Sequence, residues 1–375
     1  MPLGKVVSLE YGKALKAEDR DVGGNFPVYG SNGIVGFHNS AVVEEPTIVV
    51  GRKGAIGEAH LVENGCWPID TAFYTLFRKP GIVSIRYLLL WFQSVDLKSH
   101  AITATIPGLN RNTLYSLELP VPPLPEQERI VTLLDEADAL RKLRAQANQR
   151  TAEIIPALFH EMFGKHIQTP PVLVSLDGAR APKGWNWSLL TDIARLATGH
   201  TPSRRVPEYW EGGSIPWISL TDIRFLDGKV AHTTSQSVTE NGIDNSSAVK
   251  LPKGTVCFSR TASVAFVTVM GREMCTSQDF VNWVCTDRLN PIYLMGALMR
   301  AREYLRSIAS GSTHKTIYFP TVEQFSVLLP PIELQNEFAN RVSEVREMES
   351  TQSTSRERSE SLFQSMLQRA FEGEL

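Results

Sequence analysis

SHAITATIPGLNRNTLYSLELPVPPLP, residues 99–125, lies over SIASGSTHKTIYFPTVEQFSVLLPPIE, residues 307–333, at a constant offset of 208 and without a gap over 27 residues. Identities fall at Ser99/Ser307, Ala101/Ala309, Thr105/Thr313, Thr113/Thr321, Pro122/Pro330 and Pro123/Pro331. Apolar character is kept at Leu109/Ile317, Leu114/Val322, Leu117/Phe325, Leu119/Val327 and Val121/Leu329. The same offset pairs Arg52 with Arg260 and Ile56 with Val264 upstream, and Leu158 with Met366 and Phe163 with Phe371 downstream. A repeat of this period makes the chain one unit used twice. Near the start the offset is 187, where Leu3, Val6, Leu9 and Gly12 lie over Leu190, Ile193, Leu196 and Gly199. The second copy therefore holds 21 extra residues, and the Trp/Pro/Gly-rich stretch Thr201–Trp217 is the expected place for them.

Each copy divides into a globular part and a tail. The globular parts, 1–121 and 166–329, carry β-type runs at Thr47–Val50, Ala72–Phe77, Val264–Met270 and Phe280–Cys285, broken by Gly, Asn and Pro. Helical stretches at Ser84–Ser94 and Pro291–Ser307 are interspersed, so the pattern predicts mixed α+β domains. The tails, 122–165 and 330–375, read as long helices. After Pro122-Pro123-Leu124-Pro125, Glu126 and Glu128 sit in a first turn, where the helix dipole favours acids. Apolar residues then recur at Ile130, Leu133, Ala137, Leu140, Ala147, Ile154 and Leu158, close to heptad spacing. Glu126–Phe163 would be about 57 Å long as one helix at ~1.5 Å per residue, kinked or divided late by Pro156. The second tail shows Phe338, Val342, Val345 and Met348, then Leu362, Phe363, Met366 and Phe371. Its polar, Ser-rich middle, Glu349–Ser361, predicts a weakly packed helix. So narrow a seam needs a partner. Antiparallel pairing of the two tails, with a pseudo-two-fold axis, is the simplest arrangement; the other is packing of each tail on its own domain.

The 375 residues are 42% hydrophobic and 21% charged, with a net charge of −2, which excludes wholesale disorder and a uniformly basic coat protein. The neutral total hides a division: residues 121–164 and 330–375 together carry −6 and the rest of the chain +4. Cys66, Cys257, Cys275 and Cys285 form no Cys-x-x-Cys pair, which fits reduced thiols in a cytoplasmic protein without a structural metal. Met1–Lys5 lacks a signal-peptide core, and the longest apolar run, Tyr87–Phe92, is too short to span a bilayer.

No catalytic constellation emerges. Asp135-Glu136-Ala137-Asp138 spells a helicase box but lies within the helical repeat, and no Gly-x-x-x-x-Gly-Lys-[Ser/Thr] exists to hold nucleotide phosphates. Gly51-Arg52-Lys53-Gly54-Ala55-Ile56-Gly57 lacks the P-loop ending and reads as a β-turn. His200, His232 and His314 stand in polar sequence and read as surface histidines. Cations instead gather beside amides and hydroxyls, in Arg52-Lys53, Asn110-Arg111-Asn112, Thr201–Arg205 and Ser312–Thr316. Arg and Lys contact phosphates and read guanine, while Asn and Gln read adenine edges. Arg52, Lys53, Arg111, Arg204, Arg205, Arg260, Thr313 and Lys315 are the candidate contacts to double-stranded DNA. Differing residues at equivalent positions, as at Asn110–Asn112 and Tyr318–Pro320, suit two readers of different sequences.

The chain resembles the specificity subunit of type I restriction–modification systems. Leu119-Pro120-Val121-Pro122-Pro123-Leu124-Pro125-Glu126-Gln127-Glu128-Arg129-Ile130 is similar to that family's hallmark approach to its first conserved helix, and Leu158-Phe159-His160-Glu161-Met162-Phe163-Gly164 to its close. Phe26–Gly36 resembles a common opening of a target recognition domain. Pro182-Lys183-Gly184-Trp185, Gly199–Ser203 and Ile215–Ile218 resemble the start of the second. The second copy departs from the hallmark at Ile332-Glu333-Leu334-Gln335. The resemblance implies two target recognition domains, each reading half of a bipartite sequence. It implies paired helices that set the gap between half-sites and dock two methyltransferase subunits. S-adenosylmethionine, ATP and Mg2+ would belong to those modification and restriction subunits, with none bound by this chain. A methyltransferase or nuclease in its own right, and a protein-only scaffold without a DNA role, are the competing readings.

Overall fold

The computed structural model describes residues 1–101, 107–311 and 314–375. It divides into two compact units, Met1–Ala147 with Gln352–Leu375, and Asn148–Thr351. No helix among the described residues is long and apolar enough to cross a membrane.

The first unit contains β1 (Val7–Tyr11), β2 (Phe26–Gly30), β3 (Gly33–His38), β4 (Thr47–Gly51), β5 (Ala59–Val62), β6 (Trp67–Pro68) and β7 (Ala72–Phe77). They form one sheet of order β1-β7-β4-β5 and a second of order β3-β2-β6. Helices α1 (Ile85–Ser94) and α2 (Arg111–Tyr115) follow, then α3 (Leu124–Ala152), whose end crosses into the second unit, where α4 (Ile154–Met162) lies. Ser84 caps α1, its hydroxyl accepting the Tyr87 N–H at 3.2 Å, which satisfies a backbone donor that the first turn leaves free. Six consecutive residues of α1, Tyr87–Phe92, are buried, so the longest apolar run is core.

The second unit repeats this plan. Its elements are β8 (Val172–Leu173), β9 (Asn186–Leu189), α5 (Leu190–Ile193), β10 (Ala194–Thr198), β11 (Ile215–Ile218), α6 (Leu220–Leu226), β12 (Val230–Ala231), β13 (Ser237–Val238) and α7 (Glu240–Asp244). They continue with β14 (Val256–Ser259), β15 (Val267–Met270), β16 (Cys275–Thr276), β17 (Phe280–Cys285), α8 (Pro291–Arg300), α9 (Arg302–Ser307), α10 (Phe319–Val322), β18 (Ser326–Leu329) and α11 (Ile332–Glu372). The sheet β10-β17-β14-β15-β12 matches the first unit's larger sheet, and β13-β11-β16 its smaller one. Even the mixed pairing recurs: β2 runs antiparallel to β3 and parallel to β6, as β11 does to β13 and β16.

Three expectations need correction. The extra residues of the second copy do not lie in Thr201–Trp217. Sixteen residues join β10 to β11 against fourteen between β1 and β2, whereas α6, β12 and α7 fill the segment between β11 and β14. Trp, Pro and Gly report turns, not loop length. The run Val264–Met270 is a strand only from Val267, because Ala262 and Ala265 hold left-handed backbone at φ 60° and 65°. Finally, Leu140 is 45% exposed and off the helical seam. The buried positions of its first half are Gln127, Ile130, Leu134 and Asp138, a 3-4-4 step closer to a straight helix than to a heptad.

Each unit completes its core with the end of the tail that begins in the other copy. In the first unit Arg129 donates to the Leu375 carbonyl at 2.8 Å and Arg141 to Glu360 at 3.0 Å, so α3 and α11 run antiparallel there. Phe363, Leu367 and Ala370 join a core with Phe73, Tyr87 and Trp91, and Phe371 stands 5.0 Å from the Tyr87 ring. In the second unit Phe163 stands 4.9 Å from Tyr293 and 5.3 Å from Phe338 of α11. Phe163 and Phe371 are thus repeat partners doing one job. The helix divides at Glu153, and Pro156 falls in the first turn of α4, where a missing N–H is tolerated. No residue of α11 between Val345 and Phe363 is buried, in line with its polar middle.

The hallmark stretch places Gln127 fully buried at the root of α3. Its amide donates to the Ile82 and Pro122 carbonyls, both at 2.8 Å, and accepts the Ser84 N–H at 2.9 Å. Gln335 makes the same three bonds, to Arg288, Pro330 and Asn290. The departure from the hallmark in the second copy leaves this clamp intact.

Candidate nucleic-acid interface

Strands β4 and β5, and equally β14 and β15, are joined by seven-residue loops, 52–58 and 260–266. Arg52 opens the first. Its N–H donates to the Thr71 carbonyl at 2.9 Å, its carbonyl accepts from Leu109 at 3.0 Å, and its guanidinium reaches the Asp70 carbonyl at 3.4 Å. Arg260 opens the second with Asp279 at 2.9 Å, Ile317 at 2.9 Å and the Gln278 carbonyl at 3.1 Å. Every partner is displaced by the repeat offset of 208. In both copies the backbone thus presents an arginine by one device.

The surroundings differ. Arg52 lies 4.8 Å from the centre of the Tyr11 ring, and Arg111, the first residue of α2, lies 5.1 Å from the same ring. Lys53 bridges to Gly108 beside them. Arg52, Lys53 and Arg111 therefore form one cationic cluster around a tyrosine that is 44% exposed. Among the described residues none of the three has an ion-pair partner. In the second copy the position equivalent to Arg111 is Phe319, and Arg260 stacks 4.8 Å from its centre. Such contacts hold a guanidinium in place for about 0.5–1 kcal/mol.

Arg204 is seated between two indoles, 3.7 Å from the Trp210 centre and 4.8 Å from that of Trp217, and donates to the Gln236 amide oxygen at 2.8 Å. Desolvation on the rings lowers its pKa from the usual arginine value. Thr201 donates to the Gln278 side chain at 2.5 Å, so one polar surface carries Arg204, Gln236, Thr201, Gln278 and Arg260. Arg205 is exposed and lies outside that set. Lys315 is exposed on the far side of the 260–266 loop, its carbonyl accepting the Ala262 N–H at 3.0 Å. Thr313 lies outside the described residues.

Metal or thiol chemistry finds no support in the described residues. No group of three His, Cys, Asp or Glu side chains could hold a metal ion. Burial pushes the Cys66, Cys275 and Cys285 thiols up to about 12, far from a reactive thiolate.

Residues 1–152 and 182–358 match the family described as type I restriction modification DNA specificity domain. The chain belongs to that family. The two matched stretches fall one in each copy of the repeat. Among relatives, the chain is 29% identical over 169 residues to the MjaIX type I restriction enzyme specificity subunit of Methanocaldococcus jannaschii. That match covers 44% of this chain but only 39% of the relative. It is 22% identical to the HindI type I restriction enzyme specificity subunit of Haemophilus influenzae, over 82% of this chain and 81% of that one. The fold is similar to that of the type I restriction–modification S subunit from M. genitalium, with a TM-score of 0.59 at 14% identity, covering 99% of this chain and 95% of that one. A chain from a structural study of type I R-M complex assembly and conformational transition gives a TM-score of 0.64 at 17% identity, covering 100% and 97%.

For a DNA specificity domain, the side chains that sequence reading overlooked are the supports. Tyr11, Phe319, Trp210 and Trp217 hold the arginines, and Gln236 and Gln278 add amides able to pair with adenine edges. Gln278 had one signal, its place 208 residues after Asp70. The indole pair around Arg204 had none, because it depends on the path of an irregular loop.

Proposed function

We propose that the chain is the sequence-reading subunit of a type I restriction–modification complex in the cytoplasm. Each globular domain reads one half of a bipartite duplex target. The helices 122–165 and 330–375 set the gap between the halves and dock two methyltransferase subunits, and restriction subunits join the same assembly. S-adenosylmethionine, ATP and Mg2+ act on those partners, and this chain itself is not a catalyst. The supporting observation is the repeated arginine cradle: one backbone arrangement presents Arg52 and Arg260, with Arg111 beside the first and Phe319 beside the second. Repetition of the frame with exchange of its neighbours is what two readers of different sequences require. A protein-only scaffold would leave these cations without a role.

Selection from a randomised duplex pool by the full chain assembled with its modification subunits tests this reading. Arg260→Ala is expected to weaken binding of the selected sequence by about 1–3 kcal/mol and to relax one position in one half. Arg52→Ala should relax a position in the other half. Binding unchanged within twofold for both variants would contradict the assignment.

A further inference from the structure

A second basic feature belongs to the second copy alone. The loop 260–266 keeps the shape of 52–58, but alanine occupies both left-handed positions. Ala262 and Ala265 (φ 60° and 65°) replace Gly54 and Gly57 (φ 80° and 84°). An L-residue is strained in that backbone region, so surrounding contacts must enforce the shape. Backbone bonds from Ala262 to the Lys315 carbonyl at 3.0 Å and from Ala265 to the Ser259 carbonyl at 2.9 Å do part of this, and two cations do the rest. Arg306 Nε donates to the Val264 carbonyl at 3.1 Å, and Arg224 to the Ser263 hydroxyl at 3.1 Å.

Arg224, Arg306 and Lys315, all exposed, line a pocket of about 370 Å³ against Ala262, Ser263, Val264 and Phe266. No carboxylate lines it. The neighbouring Arg302, which shares the Phe266 ring with Arg306 at 5.4 and 5.3 Å, is neutralised by Asp227 at 2.6 Å. Arg224, Arg306 and Lys315 have no ion-pair partner among the described residues. At the repeat offset, Phe266, Arg306 and Lys315 correspond to Glu58, Lys98 and Pro107, so the first copy lacks this arrangement.

Three cations and a hydroxyl around one concavity select a compact oxyanion. We infer that the pocket clamps a phosphate group of the DNA backbone, giving the second recognition domain a sequence-independent anchor beside its base-reading face. This rests on the DNA-recognition reading above. The loop links the two: Arg260 at its start faces Gln278, while Ala262–Phe266 wall the pocket.

The salt dependence of duplex binding by the full chain tests the clamp. The logarithm of the binding constant falls with log salt by about 0.9 per phosphate contact. Lys315→Gln, whose side chain makes no hydrogen bond among the described residues, is expected to shallow that slope by about 0.9. Adding Arg306→Gln should weaken every duplex sequence further and alike while the loss of slope stays near ~0.9, because one phosphate is held. Lys253→Gln, an exposed cation elsewhere in this unit, should leave the slope unchanged. The clamp is overturned if wild-type binding is salt-dependent yet neither pocket variant alters the slope, or if Lys253→Gln alters it equally. If inorganic phosphate raises the wild-type melting temperature but not that of the pocket variants, with the duplex slope unmoved, the pocket serves a free anion and the DNA assignment fails. Absence of any salt-dependent binding by the wild-type chain would instead remove the DNA-recognition reading itself, and the clamp with it.

Discussion

Phe163→Ala is expected to destabilise the second unit by about 3–5 kcal/mol, the range for emptying a fully buried aromatic site. The ring is completely buried and contacts Phe159, Tyr293 and Phe338 at centroid distances of 4.9, 4.9 and 5.3 Å. These rings come from α4, α8 and α11, so the cavity would open where three helices meet. Its repeat partner Phe371 is only partly buried and has one ring neighbour, Tyr87, so Phe371→Ala should cost less. Urea unfolding followed by tryptophan fluorescence checks both. Equal losses, or a loss below about 1 kcal/mol for Phe163→Ala, would mean that the tail's end does not complete the second core.

Gln335→Met keeps side-chain volume and removes only the clamp. Asn290 N–H and Pro330 C=O would lose partners 2.9 and 2.8 Å away, inside a fully buried site. An unsatisfied buried group costs about 1–3 kcal/mol, so the loss should be roughly 2–4 kcal/mol. Gln127→Met breaks the equivalent bonds to Ser84, Ile82 and Pro122 and should cost the same within about 1 kcal/mol. Chemical denaturation of the two variants side by side makes the comparison. A loss under about 0.5 kcal/mol in either would show that the glutamine is incidental to the helix root.

Much of this architecture was legible because the chain is written twice. One offset aligned Phe163 with Phe371 and Arg52 with Arg260, and in each pair the two copies share a position in the fold. The runs Ala72–Phe77 and Phe280–Cys285 were readable as strands because β-branched and aromatic residues cluster between turn formers. A heptad template expects apolar side chains at every step and so places Leu140 on the seam, whereas the helix leaves it exposed. The buried step is instead taken by Asp138, held by Arg141 at 2.6 Å and Lys142 at 2.7 Å. The inserted segment lies outside Thr201–Trp217 because composition marks where a chain turns and carries no information on how long it takes to do so. Arg204, Arg260 and Gln278 converge through loops whose paths follow no period, so their grouping needed coordinates.

Sequencing of methylated adenines in the genome of cells carrying this chain with its modification subunits addresses the central claim most directly. The account predicts one asymmetric motif: two short defined blocks separated by a gap of fixed length and free sequence. Shortening both helical tails by matched turns should change that gap and leave the bases of both blocks as they were. A single continuous block, a gap of variable length, or altered half-site bases after the shortening would contradict two readers held at a set spacing by their helices.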